Sequence, residues 1–373
     1  MEATRRRRRV AVALGCGRAA GAFAFGVALV AGGSTEPSAT SRLTLRQLAG
    51  ERLVVGLPGT SVPPELKRMI GRGALAGVIL FAGNFPSRAA GRRLVADLQA
   101  IRRPPGLREP LLVMVDQEGG QVKRVDGVPI VSAREMGSRG AAYSSAQGAA
   151  TAANLRDVGV NVDLAPVLDV ARPGGEIADT DRAFGGTATR VAATAVPFAT
   201  ALQGGRVAAT GKHFPGFGSA RRNTDIAVQR IGLSKGELRR VDEAPYRTFV
   251  AAGGEMVMLS TAIYPAFSPK PAAFAPEIAT GELRQRLGFE GVSITDGLEG
   301  VAVRHFGGPL RSGLAAARAG TDLLLFPDFE VGAEAQAGLL RALRSGRLAR
   351  ADFETSAGRV LRLRHRLAAP PGG

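Results

Sequence analysis

The chain has 373 residues, 45% of them hydrophobic, and a formal charge of +17. That length and composition describe a globular protein with a sizeable core and exclude a disordered one. A single cysteine, Cys16, excludes an intramolecular disulfide, and three histidines far apart (His213, His305, His365) argue against a zinc site. The positive charge raises nucleic acid as a partner, but only 5% of residues are aromatic and none is Trp, so a base-stacking platform is missing. Almost all the basic residues are arginines scattered through Ala- and Gly-rich sequence, and nucleic-acid binding is not expected.

Residues 1–43 read as a leader. A basic block, Arg5–Arg9, precedes a largely apolar run over 10–31 and a small, polar stretch, the order of a secretory signal or an N-terminal membrane anchor followed by a linker. A lipoprotein reading of Cys16 fails because that residue lies before most of the apolar run, and a mis-assigned start is the alternative to export. From residue 44 to 367 one pattern repeats. Apolar runs of strand type at 52–57, 77–81, 111–115, 160–165, 207–210, 255–259, 291–295 and 322–326 alternate with stretches of helical period. The helices are expected at 64–71, 87–101, 145–158, 189–203, 234–252, 275–287 and 309–319, with a last helical stretch at 333–343 and a basic stretch at 351–367 after it. Pro63-Pro64 marks one helix start, and Ser234 with Glu237 forms a capping-box pattern at another. Eight strand–helix units predict an α/β fold, a single (β/α)8 barrel of TIM type, and no GxGxxG follows any strand. Residues 368–373 read as a disordered tail.

In such a barrel the chemistry lies at the C-terminal strand ends. Those ends carry Asp116-Gln117-Glu118-Gly119-Gly120, Asp163, Lys212-His213 and Thr295-Asp296-Gly297. Buried carboxylates need partners or a task. Asp163 alone would also fit a helix N-cap or an internal ion pair, and His213 an ordinary buried turn. Carboxylates beside Lys, His and Arg suit a polyhydroxylated ligand and an oxocarbenium-like transition state.

The motifs VDQEGGQVKRV (115–125), NVDLAPVLDV (161–170), DRAFGG (181–186), KHFPGFG (212–218), IYPA (263–266) and LGFEGVSITDGL (287–298) occur in this order. With them the chain resembles glycoside hydrolase family 3, in its single-domain β-N-acetylglucosaminidase branch, over 44–367. The resemblance implies a retaining hydrolase acting on terminal β-linked N-acetylglucosamine of cell-wall-derived or related glycans. It implies Asp296 as nucleophile, and Asp116, Arg124, Arg182, Lys212 and His213 as the grip on the sugar hydroxyls. No metal or organic cofactor is implied, and a monomer is expected. The branch carries an Asp-x-His acid/base dyad on the mobile loop after the fifth strand; here those positions are Asn223 and Asp225. A second usual His is Thr261, and an Asp after the nucleophile is Gly297. Two readings follow. Asp225 serves as a carboxylic acid/base, or the protein is a catalytically impaired, exported sugar- or peptidoglycan-binding homologue. A third class, an anchored interaction protein using its basic surface against cell-wall polyanions, rests on charge alone.

Overall fold

The computed structural model describes residues 39–368. Eight parallel strands, β1 (Leu53–Gly56), β2 (Gly77–Ile79), β3 (Leu112–Val115), β4 (Val162–Asp163), β5 (Ala208–Phe214), β6 (Met256–Leu259), β7 (Val292–Thr295) and β8 (Leu324–Phe326), pair in chain order, and β1 returns to β8. A parallel bridge from Ile294 to Leu323 joins β7 to the approach of β8 and closes the ring. The fold is therefore the expected (β/α)8 barrel. Every strand is buried on both faces, which is why each reads as a continuous apolar run rather than an alternating one. Val54, Ile79, Leu112, Met114, Leu164, Met258, Ile294 and Leu325 fill the interior, while Leu53, Val55, Val113 and Val257 face the surrounding helices.

The C-terminal helix Arg350–Ala368 shuts the N-terminal end of the barrel. Its Val360 and Leu363 join the interior cluster. Arg364, fully buried, pairs with Glu51 at 2.6 and 2.7 Å and donates to the carbonyls of Leu107, Glu109 and Pro110. A buried guanidinium needs a counter-charge and acceptors for its N–H groups, and both are present here. Only the opposite end remains open.

Several boundaries differ from expectation, for physical reasons. β4 is reduced to two residues, since Pro166 has no N–H to give the ladder, and pairing with β5 resumes as a single bridge from Val167 to Lys212. β5 is longer than 207–210: Lys212 and His213 lie inside the strand, where Leu168 donates to the Lys212 carbonyl and Ser260 to that of Phe214. The ladder to β6 shifts register between Gly211 and Phe214. The helix expected at 145–158 begins at Ala141 and is preceded by another, Ala133–Arg139, the two separated at Gly140 in a positive-φ conformation. The 234–252 helix is interrupted by a π-type turn over Leu238–Asp242, and Glu277–Arg286 is π-type throughout. At Ser234 only half of the capping box forms: its hydroxyl accepts from the Glu237 amide, while the Glu237 carboxylate lies 3.7 Å from Arg172.

Candidate active site

The loop after β3 is wound around one side chain. Gln117, fully buried, accepts from the amides of Arg124 and Val125 and donates to the carbonyls of Val125 and Val128. At Gly119, with φ of 94°, any Cβ would fall 2.3 Å from the Val131 carbonyl oxygen, so only glycine closes this loop. The winding sets Arg124 beside Asp116, with Nη2 to Oδ2 at 3.7 Å.

β5 supplies the second charge layer. Lys212 Nζ lies 2.7 Å from both Asp116 Oδ1 and Glu118 Oε1, and Arg182 grips Glu118 with two parallel bonds of 2.8 Å. Burial alone would raise the Glu118 pKa, but Arg182 and Lys212 override it and hold the carboxyl well below the usual range. Burial likewise works against the Lys212 charge, and Asp116 and Glu118 more than restore it. Lys212, Arg182 and Glu118 thus stay ionised at a largely buried site. Glu176 adds a third carboxylate, 3.6 Å from Arg182.

His213 is fixed by Asp169. The Asp169 carboxylate is fully buried and accepts from the amides of His213 and Phe217 through Oδ1, while Oδ2 meets His213 Nδ1 at 2.8 Å. The Nε2 edge of the ring is left for the cavity. A carboxylate held by two amides and a ring N–H is a rigid orienter of an imidazole.

Asp296 follows β7; its amide donates to the Leu259 carbonyl, and its Oδ1 accepts from the amide of Gly297. Facing it, the loop after β5 brings up Asn223, Thr224 and Asp225. Asn223 Oδ1 accepts from the Asp225 amide at 2.9 Å, and Thr224 is pinned by the hydroxyl of Thr261 at 2.9 Å. The carbonyls of Thr224 and Asp225 accept from the amides of Ala302 and Val301, the start of the helix Val301–His305. Asp225 is exposed as a residue, yet its carboxyl borders the cavity. Partial burial first, and then the charge of Asp296, raise its pKa above the ordinary Asp value.

All seven residues singled out from sequence (Asp116, Arg124, Arg182, Lys212, His213, Asp225, Asp296) line one cavity of about 240 Å³ at the open end of the barrel. Glu118 belongs with them; sequence placed it at a strand end without giving it a role. Asp169 and Glu176 were not anticipated. The only signal for Asp169 was its place at the close of the NVDLAPVLDV motif, because its partner lies 44 residues further on. Asp163 is neither a helix cap nor an ion-pair member: one oxygen accepts from the Gln117 amide at 2.9 Å and the other is buried without a partner. Burial pushes its pKa well above the normal range, against the Gln117 amide and the Lys212 charge. Among the described residues no group of three or more His, Cys, Asp or Glu is arranged to hold a metal ion.

Comparison with known proteins agrees with this geometry. The chain is 36% identical over 335 residues to an uncharacterized secreted glycosyl hydrolase of Arthroderma benhamiae, covering 86% of this chain and 93% of that protein. It is 34% identical to a β-hexosaminidase of Xanthomonas oryzae pv. oryzae, over 79% of this chain and 88% of the relative. Among solved structures, a family 3 β-N-acetylglucosaminidase from Paenibacillus sp. str. FPU-7 superposes with a TM-score of 0.83 at 33% identity, covering 87% of this chain. This chain spans only 63% of that longer protein. A β-N-acetylhexosaminidase from Beutenbergia cavernae gives a TM-score of 0.80 at 29% identity, over 87% of this chain and 99% of its own length. The model of the glycosyl hydrolase family 3 N-terminal domain matches residues 44–363, and the chain belongs to that family.

Proposed function

We propose that this protein is a retaining glycoside hydrolase that removes terminal β-linked N-acetylglucosamine from cell-wall-derived or related glycans. Asp296 is the nucleophile and Asp225 the acid/base. The observation that carries this reading is that Asp225 and Asp296 border one cavity, near enough that the Asp296 charge is second only to burial in raising the Asp225 pKa. A carboxyl group whose environment raises its pKa, set across the cavity from a second carboxyl group, is the arrangement a retaining hydrolase needs. One starts protonated and donates to the leaving oxygen, and the other starts ionised and attacks the anomeric carbon. Water then enters on the same path, giving a proton back to Asp225 as it displaces Asp296. Lys212, Arg124 and Arg182 supply donors and Asp116 supplies an acceptor for sugar hydroxyls. The relatives named β-hexosaminidase and β-N-acetylglucosaminidase support the choice of sugar. Export is part of the proposal, supported by the basic and apolar order of residues 5–31 and by the secreted relative. The apolar stretch at 10–31 lies outside the described residues. Among those described, no helix is long and apolar enough to cross a membrane.

A second reading, a sugar-binding homologue that has lost proton transfer, is favoured by one feature. Asn223 spends its side-chain oxygen on the Asp225 amide, and the loop after β5 carries no histidine. An aryl β-N-acetylglucosaminide separates the two, because an activated phenol leaves without much acid help. Turnover by the purified protein that is abolished in Asp296→Asn supports the hydrolase. Absence of turnover with retained N-acetylglucosamine binding would leave the second reading standing.

A further inference from the structure

At the closed end of the barrel, away from the substrate cavity, two adjoining hollows of about 420 and 320 Å³ share Gln99, Arg103 and Arg108 as walls. Five arginines from three separate segments line them: Arg102, Arg103 and Arg108 before β3, Arg156 at the end of the helix Ala141–Asp157, and Arg206 before β5. Among the described residues no carboxylate lines either hollow. Arg103 is 93% buried, since only 7% is exposed. Its Nη2 donates to the carbonyls of Arg108 and Glu109, whereas its buried Nη1 has no hydrogen-bond partner. Burial first, and then the nearby Arg364, lower its pKa to about 10. Of the two carboxylates near enough to act on it, Glu51 is committed to Arg364, and Glu109 does not border the groove.

We propose that this arginine-lined groove binds an acidic polysaccharide, holding the enzyme to a polyanionic matrix by its closed end while the substrate cavity stays open. Arginine forks match carboxylate groups two bonds at a time, which a lysine patch would not. A glycan polyanion fits better than nucleic acid because, among the described residues, no Phe, Tyr or Trp lines the groove for bases to stack on. The inference stands whichever catalytic reading holds, since it uses no residue of the substrate cavity.

The test is binding of the full chain to polygalacturonate at rising salt, with a mixed-sequence single-stranded oligonucleotide as competitor. Arg108 and Arg156 are exposed, so Arg108→Ser/Arg156→Ser should fold and should hydrolyse an aryl substrate as the parent does. Its affinity for the polyuronate should fall about tenfold or more, by loss of two charge-assisted contacts. Arg221→Ser/Arg222→Ser, which removes the same charge from the exposed loop at the open end, should leave affinity unchanged. Equal weakening by both pairs would overturn the groove in favour of net charge alone. No binding by the parent at low salt would overturn the proposal outright, as would an oligonucleotide that displaces the polyuronate at equal or lower concentration.

Discussion

The amide of Val301 donates to the carbonyl of Asp225 at 3.0 Å, so the candidate acid is held on the first turn of the helix that follows the candidate nucleophile. The contact is close. A Cβ added at Gly300 would meet the Asp225 Cα and Oδ1 at 2.9 Å and the Thr224 carbonyl at 3.1 Å. Gly300→Ala should therefore displace the Asp225 loop while leaving the barrel intact, Gly300 itself having an ordinary extended conformation. Misplacing a reacting group by about 1 Å costs on the order of 10²-fold. The expected result is a loss of that size for chitobiose, a smaller one for an aryl glycoside, and an unchanged melting temperature. Equal losses on both substrates would show that the loop does something other than deliver a proton.

Asp225 should also set the alkaline limb of activity. Its pKa is raised by burial and by Asp296, and only the protonated form can donate to a leaving oxygen. Cleavage of a poor leaving group should then fall as pH rises through that raised pKa. Asp225→Ala should lower this rate about 10²–10⁴-fold and flatten the limb. A pH–rate profile of chitobiose cleavage by both proteins checks it; an unchanged alkaline limb in the variant would assign the proton to another group.

The strands were legible because a sheet buried on both faces has no polar alternation to confuse the reading. The strand ends alone place Asp116, Glu118, Lys212, His213 and Asp296 on one side of the barrel. What stayed hidden depends on partners distant in sequence. Lys212 and His213 did not read as strand residues, because their burial is tolerable only beside Asp116, 96 residues away, and Asp169, 44 residues away. Asp169 has no mark of its own beyond an apolar neighbourhood. The raised pKa of Asp163 follows from complete burial, which a local pattern does not encode.

The Lys212–Glu118 contact joins grip and stability. Both side chains are almost wholly buried, so Lys212→Met would leave Asp116 and Glu118 facing each other with one cation fewer. Breaking a buried pair by removing one partner costs about 3–5 kcal/mol. The pH dependence has a definite sign. The folded Glu118 pKa is depressed, so its contribution is present above the unfolded value of about 4.3 and is lost as pH falls below it. Urea unfolding at pH 7 and pH 3 should show a large deficit for Lys212→Met at pH 7 and a smaller one at pH 3. An equal deficit at both would mean that Lys212 stabilises by packing rather than by charge.

Asp163 should behave in the opposite sense. Its folded pKa is raised well above the ordinary value, chiefly by burial, and Lys212 and the Gln117 amide do not compensate. A group raised in this way contributes its full stabilisation below the unfolded pKa of about 3.9 and loses it as pH climbs towards the folded one. Between those limits the parent gives up about 1.4 kcal/mol per pH unit to keep the proton in place. Asparagine keeps the oxygen that receives the Gln117 amide and puts a neutral group where the unpartnered oxygen lies. Asp163→Asn should thus match the parent near pH 4, exceed it at pH 7, and show a shallower decline between them in urea unfolding. A variant less stable than the parent at pH 7 would mean that Asp163 is ionised in the fold, with Lys212 as the counter-charge that holds it there.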